Sequence, residues 1–229
     1  RTNSKITVMK NSKTNKPILP PLKRILIVGG GGRENALAWA ICKCPSVEEI
    51  WVAPGNGGTE SQHGCIRLDI KENNVKAIIE KCHFHKVDLV VIGPEAPLAA
   101  GLANTLREAG LTVFGPCKNG ALLEASKDWA KRLMIENNIP TARYWTTSSE
   151  AEALEILHNY GKPLVIKADG LASGKGVTVC ESINQTKKAI KEIFSGKFGQ
   201  AGDQVILEER IEGPEISIFA LCDGEQLLL

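Results

Sequence analysis

Hydrophobic and polar positions change along the chain in blocks that predict strands and helices in turn. The first block is an apolar strand over residues 25–28, followed by a glycine-rich turn and a helix over residues 34–44. The same patterning predicts strands at 50–52, 87–92 and 112–114, and helices at 71–82 and 97–109. Strands that alternate with helices form a parallel sheet with helices on both faces, so the first half is predicted to be an α/β domain.

A second pattern begins after Gly115-Pro116, where the regular alternation stops. Helices predicted at residues 118–124 and 127–137 lead to a break at Pro140. The chain then reads as strand 141–145, helix 149–159, strand 163–167, a glycine-rich loop, strand 177–180 and helix 183–194. This order of elements predicts a small α+β unit.

The last stretch alternates apolar and polar residues as half-buried strands do, over residues 204–208, 215–222 and 226–229. Three leucines end the chain shortly after the turn Asp223-Gly224. Because a terminus inside a predicted strand is an unusual end for a domain, we infer that the sequence is a fragment of a longer protein.

The composition is that of a globular chain, with 43% hydrophobic and 24% charged residues. The formal net charge of +2 hides an uneven distribution, because residues 1–24 contain seven basic residues and no acid. The rest of the chain, with 21 basic and 26 acidic residues, is mildly acidic, so no nucleic-acid partner is expected. Residues 1–23 are predicted to be a disordered basic leader, with a weak organelle transit sequence as the alternative.

Seven cysteines are scattered without the spacing of a disulfide framework, which predicts a reducing, cytoplasmic location. The segment from Cys82 to His85 has no second pair of ligands at a distance that would complete a metal site, so it is interpreted as the polar end of a helix. No apolar run reaches the roughly 18 residues that a membrane helix needs, so no membrane partner is predicted.

The first glycine-rich turn lies where a dinucleotide-binding turn would lie, between a strand and its helix. The G-x-G-x-x-G fingerprint fits at Gly29 and Gly31 but fails at Glu34, whose carboxylate would face an incoming pyrophosphate. Backbone N–H groups at the helix start, with Arg33 beside them, suit a single phosphate or carboxylate. A purely structural tight turn is the alternative.

Two further loops, at residues 54–58 and 93–97, follow predicted strands. Open α/β sheets bind ligands at the carboxyl ends of their strands. The sequence therefore predicts that three loops converge on one crevice.

The loop of residues 170–176 has the sequence Gly-Leu-Ala-Ser-Gly-Lys-Gly and could be mistaken for a P-loop. It has one residue too few before Gly-Lys, Gly176 stands where a P-loop has Ser or Thr, and a strand follows it instead of a helix. We interpret it as a flexible loop whose glycines let the backbone close over ATP phosphates, with Lys167 and Lys175 as cations.

Taken in order, these motifs resemble the glycinamide ribonucleotide synthetases (phosphoribosylamine–glycine ligases), ATP-grasp enzymes of purine biosynthesis. The resemblance covers residues 24–229 in one register. Its motifs are Gly-Gly-Arg-Glu (31–34), Ala-Pro-Gly-Asn (53–56), Gly-Pro-Glu-Ala-Pro-Leu (93–98), Phe-Gly-Pro (114–116), Glu-Ala-Ser-Lys (124–127), Lys-Ala-Asp-Gly-Leu-Ala (167–172) and Glu-Glu-Arg-Ile-Glu-Gly-Pro-Glu (208–215). Each motif alone is weak, but the ordered set is specific.

The resemblance implies a ligase that joins glycine to 5-phosphoribosylamine with ATP and Mg²⁺ or Mn²⁺, through a glycyl phosphate. It implies that the nucleotide contacts are Lys127, Lys167, Gly170, Ser173, Gly174, Lys175, Gly176, Glu208, Glu209, Arg210, Ile211 and Glu215. It implies that phosphoribosylamine is held by Gly30, Gly31, Gly32, Arg33, Glu34, Pro54, Gly55, Asn56, Pro94 and Glu95. No catalytic residue is assigned.

The fold that the resemblance implies is α/β, with a Rossmann-like pre-ATP-grasp domain at 24–125 that contains the parallel sheet. An α+β ATP-grasp lid subdomain at 126–195 and the truncated start of the central ATP-grasp domain at 196–229 would follow. The family's metal-binding carboxylates and glycine-contacting segment would lie beyond residue 229, so the fragment is expected to bind nucleotide weakly and not to catalyse. A monomer is the expected state.

The chain departs from the family pattern at two positions. Asn35 replaces a histidine that is common after Arg-Glu, and Pro214 replaces the first acid of a usual Gly-Glu-Glu. Asn35 can donate a hydrogen bond but carries no charge, which argues against a proton-transfer role there. Three other functions stay open: another ATP-grasp ligase, a nicotinamide oxidoreductase and a non-catalytic nucleotide-binding module.

Overall fold

The computed structural model describes residues 21–170, 176–197, 202–222 and 224–229. They form two compact units. The first is built from residues 21–93 with Leu106–Phe114, and the second from Pro94–Thr105 with the described part of Gly115–Leu229. The predicted leader lies outside the described residues except for positions 21–23, and the predicted domain bounds stay predictions.

The first unit is built on a parallel sheet. Its strands are β1 (Arg24–Gly29), β2 (Glu49–Pro54), β3 (Cys65–Arg67), β4 (Leu89–Ile92) and β5 (Val113–Phe114), and its helices are α1 (Gly32–Ile41), α2 (Gly57–Glu60) and α3 (Val75–Phe84). Within the described residues the strand order is β3-β2-β1-β4-β5, and every pairing is parallel. The predicted parallel α/β arrangement is confirmed.

The centre of this sheet is buried on both faces. Residues Ile25 to Val28 of β1 are each at most 2% exposed, and Ile50 to Ala53 of β2 are equally buried. Unbroken apolar runs of this kind are typical of central parallel strands. Since β2 and β4 flank β1 on opposite sides, the loops after β1 and β4 border the switch point of the sheet, where open α/β sheets bind ligands.

The second unit combines helices with an antiparallel sheet. Its elements are α4 (Glu95–Ala100), α6 (Lys118–Ala125), α7 (Lys127–Glu136), β6 (Tyr144–Thr147), α8 (Glu150–Tyr160), β7 (Leu164–Ala168), β8 (Val177–Val179), α9 (Ile183–Glu192), β9 (Val205–Glu209), β10 (Leu221–Cys222) and β11 (Leu227–Leu228). Helix α5 (Leu102–Glu108) has residues in both units, and α9 continues into a π-helical turn at Ile193–Lys197.

Strands β6, β9, β7 and β8 lie in that order in the main sheet of the second unit. β9 pairs with both β6 and β7, so this sheet includes residues on both sides of the boundary predicted between 195 and 196. One face packs against α8 and α9 through a buried apolar cluster that includes Leu157, Leu164, Ile166, Ile190 and Leu207. Because residues alternate along a strand, Lys167 and Glu208 lie on the opposite face, which α7 meets.

Two of the predicted elements differ from the structure. The helix predicted at 97–109 is two helices, because Gly101 adopts a left-handed conformation (φ +96°) and ends α4. The strand predicted at 215–222 is wrong for residues 215–220, which are exposed and have no regular structure. Apolar alternation does not make a strand without a hydrogen-bonded neighbour, and only β10 finds one, in β11. The short elements α2 and β3 are absent from the prediction.

Among the described residues, none forms part of a helix with the length and apolar content needed to cross a membrane.

Candidate functional site

In the first unit, the loop after β1 is shaped by the buried side chain of Glu34. Glu34 is 4% exposed, and its Oε2 accepts a 2.7 Å hydrogen bond from the N–H of Gly31. A β-carbon added to Gly93, at the end of β4, would lie 2.1 Å from Glu34 Oε1, so position 93 has room only for glycine. Arg33 Nη1 donates a 2.9 Å hydrogen bond to the Gly93 carbonyl. Two neighbouring side chains therefore join the ends of β1 and β4.

Asn56 connects the loop after β2 to the loop after β1. Its Oδ1 accepts hydrogen bonds from the N–H groups of Gly58 (2.8 Å) and Thr59 (3.2 Å) at the start of α2. Its Nδ2 donates to the carbonyls of Gly30 (3.0 Å) and Gly31 (3.2 Å). Both donors and the acceptor of the amide are in use, so Asn56 fixes the shape of the loop.

Pro54 and Gly55 pack closely against the same loop. The N–H of Gly55 donates to the Gly29 carbonyl (3.2 Å), and a β-carbon added to Gly30 would lie 3.0 Å from the Gly55 carbonyl oxygen. Gly55 has a φ of +62°, which favours glycine. Arg67 Nε donates to the Pro54 carbonyl at 2.8 Å. The close approach of the two backbones explains why glycines occupy both positions.

The predicted substrate residues therefore fall into three groups. The structure brings Gly30, Gly31, Glu34, Pro54, Gly55 and Asn56 together in the first unit. Gly32 and Arg33 are exposed at the start of α1. Pro94 and Glu95 begin α4 and belong to the second unit. All of them stay predicted substrate contacts.

In the second unit, Asp169 caps the start of α7. Its Oδ1 accepts hydrogen bonds from the N–H groups of Lys127 (2.6 Å) and Asp128 (3.3 Å), and its Oδ2 accepts one from Ser126 Oγ (3.0 Å). Lys127 Nζ donates to the Gly170 carbonyl at 3.0 Å. Two predicted nucleotide contacts, Lys127 and Gly170, are thus brought together by a residue that the sequence did not single out.

Glu208 lies between two lysines on the sheet face that α7 meets. It is 8% exposed and forms ion pairs with Lys131 and Lys167. Lys131 is equally buried and also donates to Thr141 Oγ1 (2.7 Å) and the Ala142 carbonyl (3.4 Å). Burial alone would raise the pKa of Glu208, but the hydrogen bonds and charges of both lysines outweigh it and lower the pKa. Glu208 is therefore a buried, ionised carboxylate at neutral pH.

Lys131 is the second residue that the sequence analysis missed. It lies one helical turn after Lys127, and residues four apart share a helix face. That spacing was the available signal, but a lysine in a polar helix is ordinarily exposed.

Glu208 and Glu209, which the resemblance groups together, lie on opposite faces of the sheet, as neighbours in a strand must. Glu209 lies near Tyr160, whose pKa is raised by desolvation and then by the charge and hydrogen bond of Glu209. Arg210 pairs with Glu212 at 3.7 Å, and Ile211 and Glu215 are exposed after β9.

The ends of the predicted glycine-rich loop are described and its middle is not. Gly170 adopts a left-handed φ of +108°, and the buried Gly176 accepts a 2.8 Å hydrogen bond from the N–H of Ala168. Ser173, Gly174 and Lys175 lie outside the described residues. The nucleotide contacts stay predictions.

No three His, Cys, Asp or Glu side chains within the described ranges are grouped so that they could hold a metal ion. Cys82, in the segment considered for metal binding, is 1% exposed within α3, and burial raises the pKa of its thiol to about 12. A thiol in this environment is a poor ligand and a poor nucleophile, because both roles need the thiolate.

Two family models match the sequence: the N domain of phosphoribosylglycinamide synthetase at residues 23–124, and the ATP-grasp (A) domain of the same synthetase at residues 125–229. The chain belongs to the phosphoribosylglycinamide synthetase family. Membership confirms the resemblance read from the motifs, and the ATP-grasp fold class with it.

Relatives in the phosphoribosylglycinamide synthetase family resemble the chain over most of its length. A phosphoribosylamine–glycine ligase from Nostoc is 46% identical over 201 residues, which are 88% of this chain and 47% of the relative. One from Escherichia coli is 42% identical over 206 residues, 90% of this chain and 48% of the relative.

A crystal structure of a phosphoribosylamine–glycine ligase from Thermotoga maritima is 32% identical, with a TM-score of 0.69, over 89% of this chain and 48% of that one. The chain spans about half the length of each of these three proteins.

Proposed function

We propose that this chain provides nucleotide and substrate contacts of a phosphoribosylamine–glycine ligase. The reaction joins glycine to 5-phosphoribosylamine with ATP, through a glycyl phosphate, and gives glycinamide ribonucleotide, ADP and phosphate. The observation that carries the proposal is the continuous match of the family's N and ATP-grasp domains over residues 23–229. Relatives at 42–46% identity that bear the ligase name support it.

Two lysines of the second unit, Lys127 and Lys167, suit the phosphates of ATP. Lys127 starts α7 beside Gly170, and Lys167 lies in β7 shortly before the same glycine. Phosphoryl transfer depends on positioning and charge neutralisation. Two cations close to the first glycine of the loop would supply both for a polyphosphate.

An apolar surface lies next to Lys167 on the same face of the sheet. Val177 pairs with Lys167 and is 45% exposed, and Val179 pairs with Val165 and is 60% exposed. Aromatic bases bind well on exposed apolar side chains flanked by polar groups. We place the adenine ring on this surface, with Glu208 at its edge.

The loop after β1 suits the phosphate of phosphoribosylamine. Gly31, Gly32 and Arg33 are exposed where α1 begins, and a helix N-terminus with an arginine beside it favours an anion. The burial of Glu34 and the complete hydrogen bonding of Asn56 support a different role for these two residues, which is to hold the loop that binds the phosphate.

Mg²⁺ or Mn²⁺ would accompany ATP as part of this function. The described residues do not assemble a group of side chains that could hold the ion. Glycine and 5-phosphoribosylamine are the proposed partners. A cytoplasmic monomer that binds neither nucleic acid nor membrane stays a prediction.

A chimera tests the function, with residues 23–229 replacing the matching segment of the Escherichia coli relative. In a strain without its own ligase, we expect growth without added purines. Lys127→Met and Lys167→Met should abolish growth, whereas Lys188→Met, at an exposed lysine of α9, should not.

The purified chimera separates the alternatives that the sequence leaves open. Formation of glycinamide ribonucleotide from ATP, glycine and phosphoribosylamine supports the proposal. A chimera that binds ATP but forms no such product contradicts it and favours another ATP-grasp ligase or a binding module. A change in reduced-nicotinamide fluorescence without any effect of ATP would favour an oxidoreductase.

A further inference from the structure

Lys131 and Lys167 hold the same carboxylate in different ways. Lys131 is 8% exposed and directs its ammonium group at Glu208, Thr141 Oγ1 and the Ala142 carbonyl, which uses all three of its donors. The Lys167 side chain is 25% exposed, and in the part of the chain that the structure describes it pairs with Glu208 alone. Lys131 is therefore fixed, and Lys167 is the cation that can reach a ligand.

Glu208 has one more cationic partner than its single charge requires. One buried carboxylate lies between two ammonium groups, so either lysine could leave and Glu208 would keep one partner. A buried charge without any partner costs far more than the pair contributes. If Lys131 were absent, Lys167 could not turn to a ligand without leaving Glu208 buried and unpaired.

We propose that Lys131 is a positioning residue that keeps Glu208 ionised, so that Lys167 can exchange this carboxylate for a nucleotide phosphate. The inference rests on the proposed function, which identifies the incoming anion. In the exchange, Lys167 leaves one anion and pairs with another, and Glu208 stays charged against Lys131. No proton moves.

Without the Lys131 cation, the exchange should involve a proton. In Lys131→Met, the departure of Lys167 leaves Glu208 in a buried site without a cation, and a buried carboxyl in that state takes up a proton. Nucleotide binding by the variant should therefore be weaker and coupled to proton uptake at Glu208. A residue that only supports the fold would weaken binding without changing the proton count.

The affinity for ADP and the number of protons taken up on binding can be measured together by calorimetry. The full 229-residue chain is titrated with ADP at pH 6 in two buffers of different ionisation enthalpy. Relative to wild type, Lys131→Met should bind ADP at least about tenfold more weakly and take up as much as one additional proton per ADP. Lys131→Arg, which keeps the cation, should restore the wild-type proton count. Lys188→Met, at an exposed lysine, should match wild type in both.

The outcomes separate this inference from the proposed function. ADP binding by wild type, with Lys131→Met equal in affinity or in proton count, overturns the role of Lys131 and leaves the proposed function intact. Absence of ADP binding by the wild-type chain contradicts the nucleotide site and the exchange together.

A second measurement covers the case in which Lys131→Met does not fold. Carbon-13 NMR of the glutamate carboxyl groups follows their ionisation as the pH is lowered. In Lys167→Met, Glu208 should stay ionised at pH values below those at which glutamates ordinarily titrate, because Lys131 alone is enough to keep its carboxylate charged. Titration of Glu208 above about pH 4.3 in that variant overturns the proposal.

Discussion

The backbone N–H of Lys127 donates a 2.6 Å hydrogen bond to the carboxylate of Asp169, a residue 42 positions further along the chain. Ser126 Oγ and the N–H of Asp128 donate to the same carboxylate. Asp169 is therefore a long-range cap on α7, in addition to Ser126, which caps the N–H of Trp129. Because Gly170 follows Asp169 directly, the start of the glycine loop is tied to the helix that carries Lys127.

Asp169→Asn is expected to destabilise the chain by about 1–2 kcal/mol, because it removes a negative charge from the N-terminus of α7 and places an amide N–H₂ among hydrogen-bond donors. Urea unfolding at pH 7 measures the change. Asp203→Asn, at an exposed aspartate of the same unit, is the control and should change stability by less than about 0.5 kcal/mol. Equal stability of the two variants would contradict the capping role.

Asn56→Asp is expected to destabilise the first unit by about 1–3 kcal/mol. Aspartate keeps the oxygen that caps α2, but its second oxygen would face the carbonyls of Gly30 and Gly31, to which Asn56 donates. Asn74→Asp is the matched control. Asn74 caps α3 through its oxygen, which accepts from the N–H of Ala77 at 3.3 Å, and aspartate is an equally good cap.

Thermal unfolding of the two asparagine variants gives the comparison directly. The expected result is a lower midpoint for Asn56→Asp and an unchanged midpoint for Asn74→Asp. If the midpoint of thermal unfolding falls equally in both variants, the hydrogen bonds from Asn56 to the carbonyls of Gly30 and Gly31 do not stabilise the fold.

Much of the fold follows from the sequence, because its long elements carry their own signals. The apolar run of β1 and the serine caps of α7, α8 and α9 are local features. The elements that the sequence missed depend on distant partners or are very short. Helix α2 has four residues, and β3 has three.

In the candidate site, too, some residues were predictable from the sequence and others were not. The ordered motifs predicted that Lys127, Lys167 and Glu208 contact the nucleotide, but they gave no sign that Lys131 lies buried against Glu208 or that Asp169 caps α7. Both contacts join residues more than 40 positions apart, and a lysine is not ordinarily buried as Lys131 is. Pairing of this kind depends on how α7 packs on the sheet, which no local pattern specifies.

Gly93→Ala tests the close packing at the end of β4. The added methyl group would meet Glu34 Oε1 at 2.1 Å, so the substitution should destabilise the first unit by about 1–3 kcal/mol. Gly57→Ala, where an added β-carbon meets nothing within 4 Å, is the control. Urea unfolding compares the two.

A double-mutant cycle identifies the side chain that is responsible. Glu34→Ala is itself destabilising, since it removes the acceptor for the Gly31 N–H, but it also empties the space that the new methyl group needs. Gly93→Ala should therefore lower the free energy of unfolding by less in the Glu34→Ala background than in wild type. If the changes in the free energy of unfolding caused by the two substitutions are additive, the added methyl group does not meet the Glu34 side chain.

Asp88→Asn should change how the stability of the first unit depends on pH. Asp88 Oδ2 accepts hydrogen bonds from the N–H groups of Lys23 (2.9 Å) and Arg24 (2.8 Å). The bond from Lys23, followed by the bond from Arg24 and the charges of both residues, holds the pKa of Asp88 below its usual value, although partial burial acts in the opposite direction. A lowered folded-state pKa means that the ionised carboxylate stabilises the fold at every pH above the unfolded value of about 3.9.

That stabilisation is lost as the pH falls through the lower, folded-state pKa. Asp88→Asn should thus be less stable than wild type at pH 7, and the difference should shrink as the pH falls below about 4 and Asp88 of the wild type becomes protonated. Urea unfolding over this range measures it, with Asp69→Asn at an exposed aspartate of the same unit as the control. A difference that does not shrink at low pH would show that the stabilisation by the Asp88 bonds to Lys23 and Arg24 does not depend on its charge.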